Sequence, residues 1–361
     1  MFLSGVKESL HLRQKISDKL NFVLPEVEIL SSEGLKGDTR RSISVISTTL
    51  NEEQNIETWL YALLAQTLAP NELVICDGGS TDSTISRITK WKQDHPKLKV
   101  VLVSSPGANI AKGRNVAAKE SSSEVLLFSD VGSLPDKEWV RELSLPFLSN
   151  TAANVSLGLS ECVSDSALAK AVSKLILQDK SEINPKTYLA SGRSIGVSRE
   201  AFIEVDGFPE NLTLAGEDTL FNLRLRQSAK SGFYFTPNAV AYWMPPKSFR
   251  ELWKMMFRYA RGDAEAGVFF RDYLSRISEF SAMVFGFGFA LLSLNYAISR
   301  WQFGVVLITA VALYFASSPI LAYQHRLKNF GWREKLAAPF ALISAQACGF
   351  ISGLIFSKKT N

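Results

Sequence analysis

Asp77, Asp130 and Asp218 each stand where an apolar run or a glycine gives way to a polar turn, and each could do different chemistry. Asp77 closes the run 73–76 and precedes Gly78, Gly79 and the hydroxyl-bearing Ser80-Thr81-Asp82. In open α/β sheets, ligands gather beyond the carboxyl ends of strands. A carboxylate there can accept a hydrogen bond from a base N–H, which suits a nucleotide better than a bare phosphate. The same residues equally make a tight turn and a helix cap. Asp130 follows the apolar strand 125–129, where an uncompensated carboxylate would be costly. Glu217 and Asp218 follow Gly216 and open a helix expected over 219–230, where two acids also suit the helix dipole. Lys112 and Arg114 lie in a KGRN segment; a guanidinium suits bidentate phosphate contact, and a solvated surface arginine is the plain alternative.

The elements that must position these groups are legible from periodicity. The β-branched stretch 42–48 predicts a strand. Ile56, Leu60, Leu63 and Leu64 then recur at helical spacing after Asn51-Glu52-Glu53. A strand to Asp77, a helix from Ser80, a strand over 99–103, a helix near 110–119 and the strand 125–129 follow. Alternation of this kind predicts βαβ units in a mostly parallel sheet flanked by helices. Thr49, Glu52, Asp77 and Asp130 then share one rim, at the carboxyl ends of their strands. Residues 1–40 read as a separate arm without a clean period.

The composition sets limits. Lys+Arg 40 against Asp+Glu 35 leaves a net charge of +5, too small to argue for nucleic acid as a partner. Cys76, Cys162 and Cys348 have neither an even count nor ligand spacing, so no disulfide framework or zinc site is expected. The N-terminus lacks the apolar core of a secretory signal. Three uncharged apolar runs, 280–298, 302–323 and 337–356, each approach the roughly 20 residues of a spanning helix. Arg326, Lys328, Arg333 and Lys335 between the second and third predict a cytoplasmic loop, and hence a cytoplasmic preceding domain. Lys358-Lys359 would then lie outside, against that rule. Before the first run, 248–262 places Arg250, Lys254, Arg258 and Arg261 on one stripe opposite an aromatic-rich face, the pattern of an interfacial helix. Arg258 and Arg261 are also candidates to reach a phosphate.

The segments SVISTTLNEEQNI, LVICDGGSTDST, ANIAKGRNVAAK, VLLFSDVGS, SGRSIGVSREAF and GEDTLFNLRLR, in this order, resemble the successive motifs of family-2 glycosyltransferases with the GT-A fold. The resemblance runs over roughly residues 42–265. It is nearest to membrane-anchored bacterial members with an Asp-x-Gly metal motif. It implies an inverting transfer of sugar from a nucleoside-diphosphate sugar to a lipid-linked or envelope glycan acceptor at the cytoplasmic face of the cell membrane. Thr49, Glu52, Asp77, Lys112, Arg114, Arg258 and Arg261 would serve the donor, with Asp77 accepting from the base. Asp218 would be the general base, with Ser191, Arg193 and Glu217 on the acceptor side. Asp130 would hold Mg²⁺ or Mn²⁺ through the diphosphate, although Gly132 stands where a second carboxylate is expected. The Gln-x-x-Arg-Trp motif of processive members is lacking, which points to non-processive transfer. A polyprenyl-phosphate glycosyltransferase and an inactive sugar-nucleotide-binding scaffold remain alternatives. The domain boundaries expected are 1–40 for the arm, 41–247 for the GT-A domain, 248–278 for the interfacial helix and linker, and 279–361 for the membrane region.

Overall fold

Leu73, Val74, Ile75 and Cys76 are fully buried in the strand Glu72–Asp77, because that strand lies inside a sheet covered on both faces. A strand so placed needs apolar residues at successive positions rather than alternate ones. The computed structural model describes residues 27–30, 41–149, 152–213, 215–228, 232–295, 305, 323 and 325–356. They fall into two units, one of Asn21–Val163 with Leu177–Met244, the other of Ser164–Ile176 with Pro245–Asn361.

The first unit is a mixed α/β sheet with flanking helices. Its strands are β1 (Val27–Ile29), β2 (Ile43–Thr49), β3 (Glu72–Asp77), β4 (Val100–Ser104), β5 (Val125–Phe128), β6 (Ser133–Pro135), β7 (Val155–Cys162), β8 (Ile195–Ser198) and β9 (Phe233–Trp243). Their order is β1-β9-β7-β8-β5-β2-β3-β4, with β6 beside β9. β2 pairs in parallel with both β3 and β5, and β3 with β4. Reversal enters through β8, antiparallel to β5 and to β7. Helices α1 (Ile56–Leu64), α2 (Thr84–Asp94), α3 (Ile110–Glu120) and α4 (Trp139–Ser149) join the early strands; α6 (Arg199–Glu204) and α7 (Glu217–Ser228) follow β8. Thus the predicted alternation forms, and its strand ends meet on one rim, where Thr49 is in register with Asp77. Gly113 of α3 lets that helix lie on β2: a Cβ there would come 2.2 Å from Thr48 Oγ1.

At the opposite end of β3, Glu72 is buried. It accepts hydrogen bonds from Ser44 Oγ (2.7 Å), Ser122 N–H (2.5 Å) and Lys99 Nζ (2.7 Å). Burial alone would raise its pKa, but Lys99 and the serine donors overcome that and hold it at about 2 against an ordinary 4.5. A carboxyl lowered in this way stabilises the fold above its unfolded value, and the contribution fades as pH falls from 4.5 towards about 2. A shift of this size corresponds to at most about 3 kcal/mol at neutral pH, reduced by solvent screening because Lys99 is mostly exposed. Urea midpoints of the unaltered protein should therefore fall between about pH 6 and pH 3 more steeply than those of Glu72→Gln. Parallel pH dependence in the two would show that Glu72 is not the group responsible.

The second unit contains α5 (Ala167–Ile176), α8 (Phe249–Glu265), α9 (Phe270–Asn295) and α10 (Trp332–Phe356). The amphipathic pattern of 248–262 does form a helix, α8, capped by Ser248 Oγ accepting from Glu251 N–H at 3.2 Å. Its apolar face is not free, however. Leu252 and Met256 pack with Ala338, Ala341, Leu342 and Ala345 of α10 and with Ala171, Val172 and Leu175 of α5. Gly349 and Gly353 let the two backbones touch, since Cβ atoms there would lie 2.3 Å from Phe257 O and 2.6 Å from Arg261 O. The face expected to meet lipid is thus occupied by protein, because α10 supplies the small side chains that close packing requires. Of the three apolar runs, 280–298 continues α9 as far as Asn295. The run 302–323 lies outside the described residues apart from Val305 and Tyr323. Among the described residues one helix, Trp332–Ile355, is long and apolar enough to cross a membrane, and most of it is buried.

Candidate active site

The rim collects its functional groups through strand order. Just past β5, Ser129 Oγ accepts from Trp59 Nε1 at 3.0 Å, and Ser133 N–H and Oγ donate to Asp130 O at 3.0 and 2.8 Å. These bonds hold Asp130 at the head of a tight turn. On α3, Asn109 Oδ1 caps the helix by accepting from Lys112 N–H at 2.9 Å. One turn further on, Arg114 reaches beneath the rim, donating from Nη2 to Asp130 Oδ1 at 2.6 Å and from Nη1 to Glu217 Oε1 at 2.9 Å. Its guanidinium also lies 5.0 Å above the Phe208 ring. Gly192 presses on it from another side: a Cβ there would fall 2.6 Å from Nη2. The Gly192 N–H in turn donates to Asp218 Oδ2 at 3.2 Å, and Asn222 Nδ2 ties α7 to Ala190 O at 2.9 Å. Asp130, Arg114, Glu217, Gly192 and Asp218 therefore form one connected row.

Electrostatics follow from that row. Burial would lower the Arg114 pKa, but Asp130 and Glu217 hold it above its ordinary value. Burial would raise Asp130, and the charges of Arg114 and Arg193 outweigh it, keeping the carboxyl ionised. Glu217 is pushed up, by burial first and by the adjacent Asp218 second. Arg193 stops 4.0 Å from Asp130 Oδ2 and stacks on Trp243, 4.9 Å from its ring centroid. Trp243 is there because β9 pairs it with Ser133, at the turn that carries Asp130.

On the donor side, both Asp77 oxygens serve their own turn: Gly79 N–H donates at 2.8 Å, Ser80 N–H at 3.0 Å and Ser80 Oγ at 2.5 Å. The tight-turn reading of this motif therefore holds locally. Beside it, Thr49 Oγ1 is buried with no hydrogen-bond partner, an orphan hydroxyl that invites a ligand. Glu52 accepts from Asn55 Nδ2 at 2.7 Å at the start of α1, and Lys112 is exposed on α3. Ser191 O accepts from Ser194 N–H at 2.9 Å. The structure places Arg114 under the rim rather than on it, with 2 % of its surface exposed. Arg258 and Arg261 belong to the second unit, where Arg261 Nε pairs with Glu265 Oε1 at 2.9 Å. Sequence reasoning passed over Phe208 and Trp243; nothing local marks either as different from an ordinary core or strand aromatic.

The motif resemblance implies a divalent cation at Asp130, and the protein donor set there does not fit one. One Asp130 oxygen is held by Arg114, and Gly132 offers no carboxylate. Nothing steric imposes that glycine, since a Cβ at 132 would meet nothing within 4 Å. Among the described residues no group of three His, Cys, Asp or Glu side chains could hold a metal ion.

Comparison with known proteins agrees with the motifs. Residues 44–205 match the profile described as Glycosyl transferase family 2. Over 118 residues the chain is 31% identical to validoxylamine A glucosyltransferase of Streptomyces hygroscopicus subsp. limoneus, covering 32% of this chain and 26% of that protein. It is 28% identical over 191 residues to the poly(ribitol-phosphate) beta-N-acetylglucosaminyltransferase TarS of Staphylococcus aureus (strain Mu50 / ATCC 700699), covering 50% and 32% respectively. The chain thus spans about a quarter to a third of the length of these curated relatives. The fold is shared with the mannosyltransferase PcManGT from Pyrobaculum calidifontis in complex with GDP-Man and Mn²⁺, at a TM-score of 0.52 and 18% identity over 90% of this chain and 91% of that one.

Proposed function

We propose that this chain, whose residues 44–205 form a glycosyl transferase family 2 domain, transfers one sugar from a nucleoside-diphosphate donor to a lipid-linked or envelope glycan acceptor, with inversion at the anomeric carbon. The observation that carries this reading is the row from Asp130 to Asp218, set on the same rim as the orphan hydroxyl of Thr49. Thr49, with Glu52 and Asp77 near it, serves the nucleoside, and Lys112 stands exposed at the same strand-to-helix side. Asp218 takes the proton of the acceptor hydroxyl as its oxygen attacks the anomeric carbon, and Ser191 and Glu217 flank it. A single base and direct attack give inversion.

The acceptor class is supported by the second unit considered by itself. Phe340, Ile351, Leu354 and Ile355 lie on one outward stripe of α10, all at least 40% exposed, which suits contact with a bilayer. Arg326 and Lys328 before this helix, with Arg333 and Lys335 in its first turn, favour the cytoplasmic membrane face.

A screen of UDP- and GDP-sugars by thermal stabilisation tests the proposal. At about 100 Kd of ligand the folded state gains about 2.7 kcal/mol, a rise of roughly 5–10 °C for a domain of this size. One base class should stand out, and its sugar should then appear on an isolated lipid-linked acceptor with inverted configuration by NMR. No stabilisation by any sugar nucleotide would sink the reading.

A further inference from the structure

A departing diphosphate needs positive charge beside it as its bond to the anomeric carbon breaks. The residues around Asp130 supply that charge in a way the motif resemblance does not imply. Arg193 Nε is 4.0 Å from Asp130 Oδ2, beyond hydrogen-bond distance. Its guanidinium rests on Trp243, its side chain is 14% exposed, and none of its N–H groups donates to a described residue. A guanidinium largely withdrawn from water, whose planar fork of donors meets no acceptor of a described residue within hydrogen-bond distance, is placed to take one, and that fork matches phosphate oxygens. Arg114 cannot play this part, because both its Nη atoms are committed to Asp130 and Glu217 and its unpartnered Nε is buried with the rest of the side chain. A divalent ion is poorly served at the same place. It would find one remaining oxygen of Asp130 and no carboxylate at 132, and it would sit beside two guanidinium charges where water is partly excluded.

We infer that Arg193, rather than a divalent cation, neutralises the donor diphosphate in this chain, a reading that rests on the function proposed above. In the transfer the acceptor oxygen forms its bond to the anomeric carbon, and its proton passes to Asp218. The old glycosidic C–O bond breaks with its electron pair remaining on the diphosphate oxygen, where the Arg193 N–H groups meet the new charge. Trp243 acts by position, holding the plane of the guanidinium. Arg114 also acts by position, holding Asp130 so that its outer oxygen faces Arg193.

Calorimetric titration of the full chain with UDP and with GDP, in EDTA and again in MnCl₂, tests this. Whichever diphosphate binds should do so with affinities within about twofold in the two media. Arg193→Ala should weaken that binding by about 10–100-fold. The matching nucleoside, uridine or guanosine, should bind variant and unaltered protein alike, which a general structural role for Arg193 would not allow. Arg193→Lys keeps the charge and loses the fork, so it should recover only part of the affinity. Tightening by Mn²⁺ of more than about tenfold overturns the inference and leaves the glycosyltransferase reading standing. Equal loss of nucleoside and diphosphate affinity in Arg193→Ala also overturns it alone. Binding of neither UDP nor GDP in either medium overturns it together with the function on which it rests.

Discussion

If the proposed function is right, Asp218→Asn is expected to lower sugar transfer by about 10²–10⁴-fold, the range lost with a general base, and to leave nucleotide affinity within about twofold. The amide keeps the shape of the side chain and one acceptor oxygen for the Gly192 N–H, which donates to Asp218 at 3.2 Å. What it loses is the ability to take a proton, together with the second oxygen, which accepts from the Thr219 N–H at 2.8 Å. Asp218 stands in the first turn of α7 and meets the buried row through a backbone N–H rather than through Arg114. Its charge supports Arg114 less than those of Asp130 and Glu217 do, so the substitution should cost little stability. Glu217→Gln makes the contrasting control. That carboxylate accepts from Arg114 at 2.9 Å, so its loss should appear first in the denaturation midpoint. Single-turnover rates together with nucleotide titration separate the two effects. Retention by Asp218→Asn of more than about a tenth of the unaltered rate would remove Asp218 from the role of base.

Arg114→Met destabilises the first unit by about 3–5 kcal/mol, the usual result of removing one partner from a buried ionic group. The guanidinium neutralises Asp130 and Glu217 together; when it is gone, Glu217 is left uncompensated in a low-dielectric place, and Asp130, a third exposed, beside it. Arg114→Lys recovers little, because one ammonium cannot reproduce two directed bonds at 2.6 and 2.9 Å to different elements. Adding Asp130→Asn and Glu217→Gln to Arg114→Met should return part of the lost stability by removing the uncompensated charges. Urea denaturation of the three variants decides the matter. A loss below about 1 kcal/mol in Arg114→Met would mean that water reaches the row and that Arg114 behaves like a surface ion pair.

Much of the frame was legible in the chain itself. The β-branched run of β2 and the unbroken apolar run of β3 require strands, and the helices between them require a parallel arrangement. That alone places Thr49, Asp77 and Asp130 at one rim, because parallel strands joined by helices all end on the same side. The motif order likewise pointed to the family whose profile residues 44–205 match. Local periodicity also marked α8 as two-faced.

What periodicity cannot state is which partner covers a face or which charge answers another. The apolar side of α8 looks the same in sequence whether lipid or α10 lies against it, and only the packing of Gly349 and Gly353 on Phe257 and Arg261 decides for protein. Arg114 reads as a phosphate ligand in its KGRN segment, yet Asp130 and Glu217 lie 16 and 103 residues further along the chain. The reversal of β8 between β5 and β7 brings the segment 190–193 against that arginine. The β6–β9 pairing sets Trp243 beneath Arg193. Pairings of this kind depend on strand order, and strand order follows from how the whole unit buries its apolar surface rather than from any window of sequence. The row of charges was therefore decided by the tertiary structure, through the need of every buried charge for a counterpart.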